Sequence, residues 1–238
     1  MTLVGDAVSR SRFILRKLVG TSRADREADL IAHLRRATVP QILLLGDSLV
    51  EASCAGTGNP RVARGSYSGS RIADVLAAVS RVKGAHLWSK VAGAVVSIGL
   101  NDAQTSEGDD LEFRRLYFRS ALDALSRSFG EKPLVMLTIT DIASAGQWVS
   151  RFNRRLIAME NDEIAALPTA KIHDVATLFR SAVLEAGLVY DAAFRDGVHF
   201  SPVGYRYWDP LVEQAINMVS STNIEKAPDQ ANRAMFSA

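Results

Sequence analysis

Long apolar runs, cysteines and surplus charge are all scarce in this chain of 238 residues, and each scarcity removes a class of protein. No apolar run approaches the roughly 20 residues that a membrane-spanning helix needs, so no integral membrane segment is expected. The single cysteine, Cys54, cannot close an intrachain disulfide, which permits a reducing compartment. It reads as a small core hydrophobe or, lying just past Ser48, as a reactive thiol. A net charge of +2 gives no reason to expect nucleic acid or an acidic polymer as a partner. The 4 histidines are not grouped with cysteine at zinc-binding spacing, so neither a metal nor a cofactor is expected. Basic residues at Arg10, Arg12, Arg16 and Lys17 enclose only Phe13-Ile-Leu as an apolar core. That is too short for a signal peptide, and a cytoplasmic location is expected.

What the chain does have is 47% hydrophobic residues, ample for one well-buried domain. Residues 1–38 read as a basic helical extension. Ala24 to Arg36 places Leu30, Ile31 and Leu34 on one face, for packing on the domain edge or for touching an anionic membrane. Thr38-Val39-Pro40 marks the boundary. Gln41-Ile-Leu-Leu-Leu-Gly46 then reads as a strand buried on both faces. Further strands are expected at Arg61–Arg64, Gly93–Ile98, Pro133–Thr140 and Ala170–Val175. Helices are expected at Arg71–Val82, Leu111–Phe129, Trp148–Leu167 and after Ser201. Phe113, Leu116, Leu122 and Leu125 are expected to form the buried side of the Leu111–Phe129 helix, and Pro210 to kink or restart the last one with Asp209 as a fresh cap. Such alternation predicts an α/β domain over 39–219, a parallel sheet with helices on both faces, and a disordered tail over 220–238.

Several polar residues fall where strands end. Ser48 follows the first strand and is either an N-cap or a nucleophile. Gly69 stands where a strand gives way to a helix, as a flexible turn or as a free N–H facing a ligand. Asn101 follows the third strand and can donate into the same crevice, whereas Asp102 suits a cap. Asp196 and His199 are spaced so that one short turn brings base and orienting carboxylate together. The N–H groups of Ser48 and Gly69 with the Asn101 amide can then supply three donors to an oxyanion. His33, His86 and His173 read as structural or surface residues.

Gly46-Asp47-Ser48-Leu49, Gly69, Gly99-Leu100-Asn101-Asp102 and Asp196-Gly197-Val198-His199 stand in the order of the SGNH hydrolases, also called GDSL esterases and lipases, which this chain resembles over about residues 41–218. The resemblance implies a flavodoxin-like three-layer α/β/α sandwich with five parallel strands. It implies Ser48, Asp196 and His199 as the catalytic residues, and Ser48, Gly69 and Asn101 as the oxyanion hole. Of the two glycines in Gly65-Ser-Tyr-Ser-Gly69, the second suits the pattern better because a helix follows it. The activity implied is hydrolysis of a short-chain ester, such as an acetyl ester, of a small molecule or carbohydrate. Transfer of the acyl group to a sugar hydroxyl, a lipase or lysophospholipase-like hydrolysis, and a non-catalytic binding module docked through its basic N-terminal stretch are the alternatives.

Overall fold

The computed structural model describes residues 23–106 and 108–225. In chain order the elements are α1 (Arg23–Arg36), β1 (Gln41–Gly46), α2 (Ser48–Ala52), β2 (Val62–Ser66), α3 (Ile72–Gly84) and β3 (Val91–Ser97). They continue with α4 (Leu111–Phe129), β4 (Leu134–Leu137), α5 (Arg154–Ala165), β5 (Lys171–His173), α6 (Val175–Glu185) and α7 (Pro202–Glu225). The five strands form one parallel sheet in the order β2-β1-β3-β4-β5.

That order follows from the chemistry of β1. All six of its residues are buried, so it needs neighbours on both edges and helices on both faces. Leu43, Leu44 and Leu45 are fully buried, each contributing about 1.5–3 kcal/mol by leaving water. The crossovers from β2 to β3, β3 to β4 and β4 to β5 all run the same way across the sheet, and right-handed connections put α3, α4 and α5 on one face. These helices pack against one another in sequence, while α7 lies across β3, β4 and β1 with α6 beside it on the other face. The chain leaves β1 toward opposite sides of the sheet, so the carboxyl ends of β1 and β3 flank a topological switch point, where open α/β sheets bind ligands. Register aligns that edge, because Gly46 pairs with both Ser66 and Ser97.

Several expectations need correction. The N-terminal helix packs deeper than on an edge: Leu30 and Leu34 of α1 are buried in the common core, and Arg23 and Glu27 pair with Asp74 and Arg81 of α3. The stretch before it, 1–22, lies outside the described residues. Phe113 and Leu116 are exposed, and α4 turns Phe118, Ala121, Leu122, Leu125 and Phe129 to the core instead. The helix expected from Trp148 starts only at Arg154, where the Asn153 side chain accepts from the Leu156 N–H and caps it; Val149–Arg151 is a separate 3₁₀ turn. Pro210 does not restart α7, which runs through it, and the Asp209 carboxylate accepts from Ser53 and Cys54. The same helix continues through Ser220 to Glu225, into the stretch expected as tail, with its own Val219 fully buried; 226–238 lie outside the described residues. Among the described residues no helix is long and apolar enough to cross a membrane.

Candidate active site

Ser48 is the first residue of α2, immediately after β1, and is 9% exposed. The turn that presents it is held by its predecessor: Asp47 is the N-cap and its carboxyl accepts from the Leu49 N–H at 2.9 Å. Burial pushes the Asp47 carboxyl up to about 7 against that hydrogen bond. Behind Ser48 the Arg64 guanidinium donates to the carbonyls of Val50, Ser53 and Ala55. Asp209 of α7 accepts from the Ser53 hydroxyl (2.7 Å) and the Cys54 N–H (3.1 Å). The half-buried Cys54 thus meets the core through its backbone, beside that carboxylate.

The Ser48 oxygen lies 3.0 Å from Nε2 of His199, and Nδ1 of His199 lies 2.9 Å from Asp196 Oδ2. A carboxylate at Nδ1 accepts a hydrogen bond from the N–H there, which leaves Nε2 bare to take the serine proton. Asp196 is positioned by its second oxygen, which accepts from the backbone N–H groups of His199 (2.8 Å) and Val198 (3.2 Å). Partial burial works against its charged form, but these hydrogen bonds and the neighbouring ring prevail and hold its pKa below the ordinary value.

Two supports fix that turn, and neither was visible from spacing alone. Phe194 and Phe200 close the loop as an antiparallel bridge, with the Arg195 N–H donating to the His199 carbonyl at 2.8 Å. Both rings sit in an aromatic cluster with Phe179, whose ring centre is 4.6 Å from that of Phe200. On the other side the 143–149 loop lies against the turn, with Ala143 N–H donating to the Gly197 carbonyl (2.9 Å) and Trp148 N–H to that of Asp196 (3.5 Å). The backbones touch through two glycines: a Cβ on Gly146 would stand 2.5 Å from the Asp196 carbonyl oxygen and 2.6 Å from Gly197 Cα. A paired Phe on each side of Asp-Gly-Val-His was the available sequence signal for the loop; nothing in the sequence pointed to Gly146.

The remaining candidates meet at the ends of β2 and β3. Tyr67 N–H donates to the Gly46 carbonyl, drawing the β2 turn toward Ser48. Gly69 sits in that turn with φ +82°, a left-handed conformation that suits glycine, whereas Gly65 lies inside β2 paired with Leu45. Asn101 donates one amide N–H to the Ser70 carbonyl at 3.0 Å and accepts from Gln104 at 2.8 Å, which fixes the amide plane and leaves its other N–H for a ligand. Asp102 accepts from the Ile72 N–H at 3.0 Å, so it caps α3 from another segment. Burial pushes it to about 7 as well. His33 pairs with Gln41, His86 follows α3, and His173 lies in β5. Among the described residues no group of three His, Cys, Asp or Glu side chains is placed to hold a metal. A cavity of about 610 Å³ is walled by α1, β2 and residues 53–60, without Ser48 or His199.

No protein-family model and no curated protein matches this sequence. Solved structures do. A GDSL-like lipase from Bacteroides thetaiotaomicron superposes with a TM-score of 0.59 at 14% identity, over 83% of this chain and 99% of that one. An acetyl xylan esterase gives 0.55 at 17% identity, over 74% and 99%. The C-terminal catalytic domain of a peptidoglycan O-acetyltransferase from Streptococcus pneumoniae gives 0.53 at 12% identity, over 77% and 96%.

Proposed function

Starting from a chain that has the fold of the SGNH, or GDSL, hydrolases, we propose that it is a serine ester hydrolase acting on a short acyl group, with a small molecule or carbohydrate as the alcohol. The observation that carries the reading is the unbroken hydrogen-bonded line from Ser48 through His199 to Asp196, 3.0 and 2.9 Å long. In this mechanism His199 Nε2 takes the Ser48 proton as the oxygen attacks the ester carbonyl. The oxyanion accepts from the N–H groups of Ser48 and Gly69 and from the free N–H of the Asn101 amide. His199 then passes its proton to the departing alcohol, leaving an acyl-serine. Water attacks that ester with His199 again as base, and the acid and Ser48 are regenerated. Asp196 keeps the imidazole in the required tautomer and steadies its positive charge. The acetyl preference is supported by two neighbours whose names specify acetyl transfer or removal.

The test is hydrolysis of p-nitrophenyl acetate, butyrate and octanoate by the wild type and by Ser48→Ala, with equal folding shown by circular dichroism. Turnover of the acetate that disappears in the variant supports the reading. Equal, negligible rates from both folded proteins overturn it, and a preference for octanoate overturns the short acyl group.

A further inference from the structure

The same edge of the sheet holds a second concavity, between the first turns of α3 and α4. It is a cleft of about 350 Å³ whose walls include Arg71, Asp102, Asp109, Phe113, Arg114 and Tyr117. Its size lies near the lower end of the range for small-molecule sites, about 300–1,000 Å³. The two helices follow β2 and β3, so their N-termini open on the edge that carries Ser48. Two of its wall residues adjoin the proposed oxyanion hole along the chain, Asp102 next to Asn101 and Arg71 two residues past Gly69. Arg71 stands between Ser70, whose carbonyl holds the Asn101 amide, and Ile72, whose N–H is held by Asp102.

The lining is chemically specific. Phe113 and Tyr117 lie one helical turn apart on α4 and are 68% and 53% exposed, although each is large and apolar. Arg114 is locked to Asp109 at 2.6 Å and to the Asp102 carbonyl at 2.6 Å, so its fork is already oriented. Arg71 and Arg114 are set against Asp102, Asp109 and Asp110, so the walls carry no positive excess to recruit an anion. Aromatic faces beside fixed hydrogen-bonding groups of both signs fit a ligand that is apolar on one face and hydroxylated at its rim.

We infer that this cleft receives the alcohol side of the ester and that the alcohol is a neutral pyranose ring, its C–H face against Phe113 and Tyr117 and its hydroxyls toward Arg71 and the Asp109–Arg114 pair. The inference rests on the ester-hydrolase reading for the chemistry, and on the cleft alone for the binding.

The test compares kcat/KM for a mono-O-acetylated methyl glucopyranoside with kcat/KM for ethyl acetate, whose alcohol is too small to reach the aromatic pair. It uses the wild type, the double variant Phe113→Ala/Tyr117→Ala, and Leu116→Ala, an exposed residue of the same helix that does not line the cleft. The double variant should lower the sugar-to-ethyl ratio by about fivefold to tenfold, chiefly through KM, and Leu116→Ala should leave the ratio within about twofold. A ratio unmoved by the double variant, or moved as far by Leu116→Ala, overturns the inference. If the wild type hydrolyses neither ester, the ester-hydrolase reading falls and the cleft is judged by binding. Saturation-transfer NMR of methyl glucopyranoside on the wild-type protein should then show transfer to the ring C–H protons that the double variant abolishes. Transfer that is absent, or identical in both proteins, rejects the subsite.

Discussion

Glu160 on α5 is 1% exposed, and neither of its carboxyl oxygens has a hydrogen-bond partner. Burial raises its pKa from 4.5 to about 9, with Asp102 pushing the same way and Arg114 opposing. The folded protein therefore keeps Glu160 protonated at pH values where the unfolded chain ionises it. Its contribution to stability is fully present below pH 4.5, falls as pH rises from 4.5 to about 9, and is flat beyond. Two other buried carboxyls, Asp47 and Asp102, also have raised pKa values, of about 7. They make the same kind of loss at lower pH and have completed it by pH 7. The interval from about 7 to 9 is thus the one in which Glu160 differs from them. Two pH units at about 1.4 kcal/mol each give a loss of about 3 kcal/mol there. At about 2–4 °C per kcal/mol for a domain of this size, the wild type should melt about 6–12 °C lower at pH 9 than the other titrating groups account for. Glu160→Gln preserves the shape and removes the titration. Its buried amide adds a penalty that is the same at every pH, so the slope is the diagnostic quantity. Calorimetric melts of both proteins at pH 5, 7 and 9 should show curves that converge or cross as pH rises. Parallel curves would refute the argument.

Three further perturbations probe the site. Gly146→Ala places a methyl group against the Asp196 carbonyl and Gly197 Cα at a φ of +151°. It should displace the Asp196–His199 turn and reduce kcat/KM about 100-fold, with the shift visible in a crystal structure; unchanged kinetics would mean that the 143–149 loop yields. Asp196→Asn can still accept from the Val198 and His199 N–H groups through Oδ1, so melting should change little. Loss of the carboxylate at His199 Nδ1 should nevertheless lower kcat by about 10³–10⁴. Asp209→Ala leaves the Ser53 hydroxyl and the Cys54 N–H without their acceptor and should cost about 1.5–3 kcal/mol in a denaturant titration.

The sequence was most informative where burial or chemistry constrains a residue on both sides. Leu43 to Leu45 could only be a strand covered on both faces, and Asp196 three residues before His199 is a spacing that one turn closes. It was least informative on α4, whose apolar residues form two stripes. Phe118, Ala121, Leu122, Leu125 and Phe129 make one, Phe113, Leu116 and Tyr117 the other. Helical periodicity ranks neither, because the choice depends on which face α3 and α5 leave free. Pro210 misled for a related reason. A proline removes one N–H from the helix, but the burial of Leu211, Val212, Ala215 and Ile216 just beyond it holds the axis. Gly146 was invisible because its constraint comes from Asp196 and Gly197, which only the folded chain brings against it.

The hydrogen bonds that join the two ends of the chain also set a timetable. Ser48 is separated from His199 by 151 positions, and Ser53 from Asp209 by 156. At about 5–20 residues per second of synthesis, roughly eight to thirty seconds pass between emergence of the serine and emergence of its partner. Throughout that interval the serine has no base, and the strand that carries it lacks the cover of α7. On the proposed mechanism, a nascent chain or one truncated before His199 is therefore expected to be chemically silent, and a first turnover at Ser48 would report that the two ends of the chain have met.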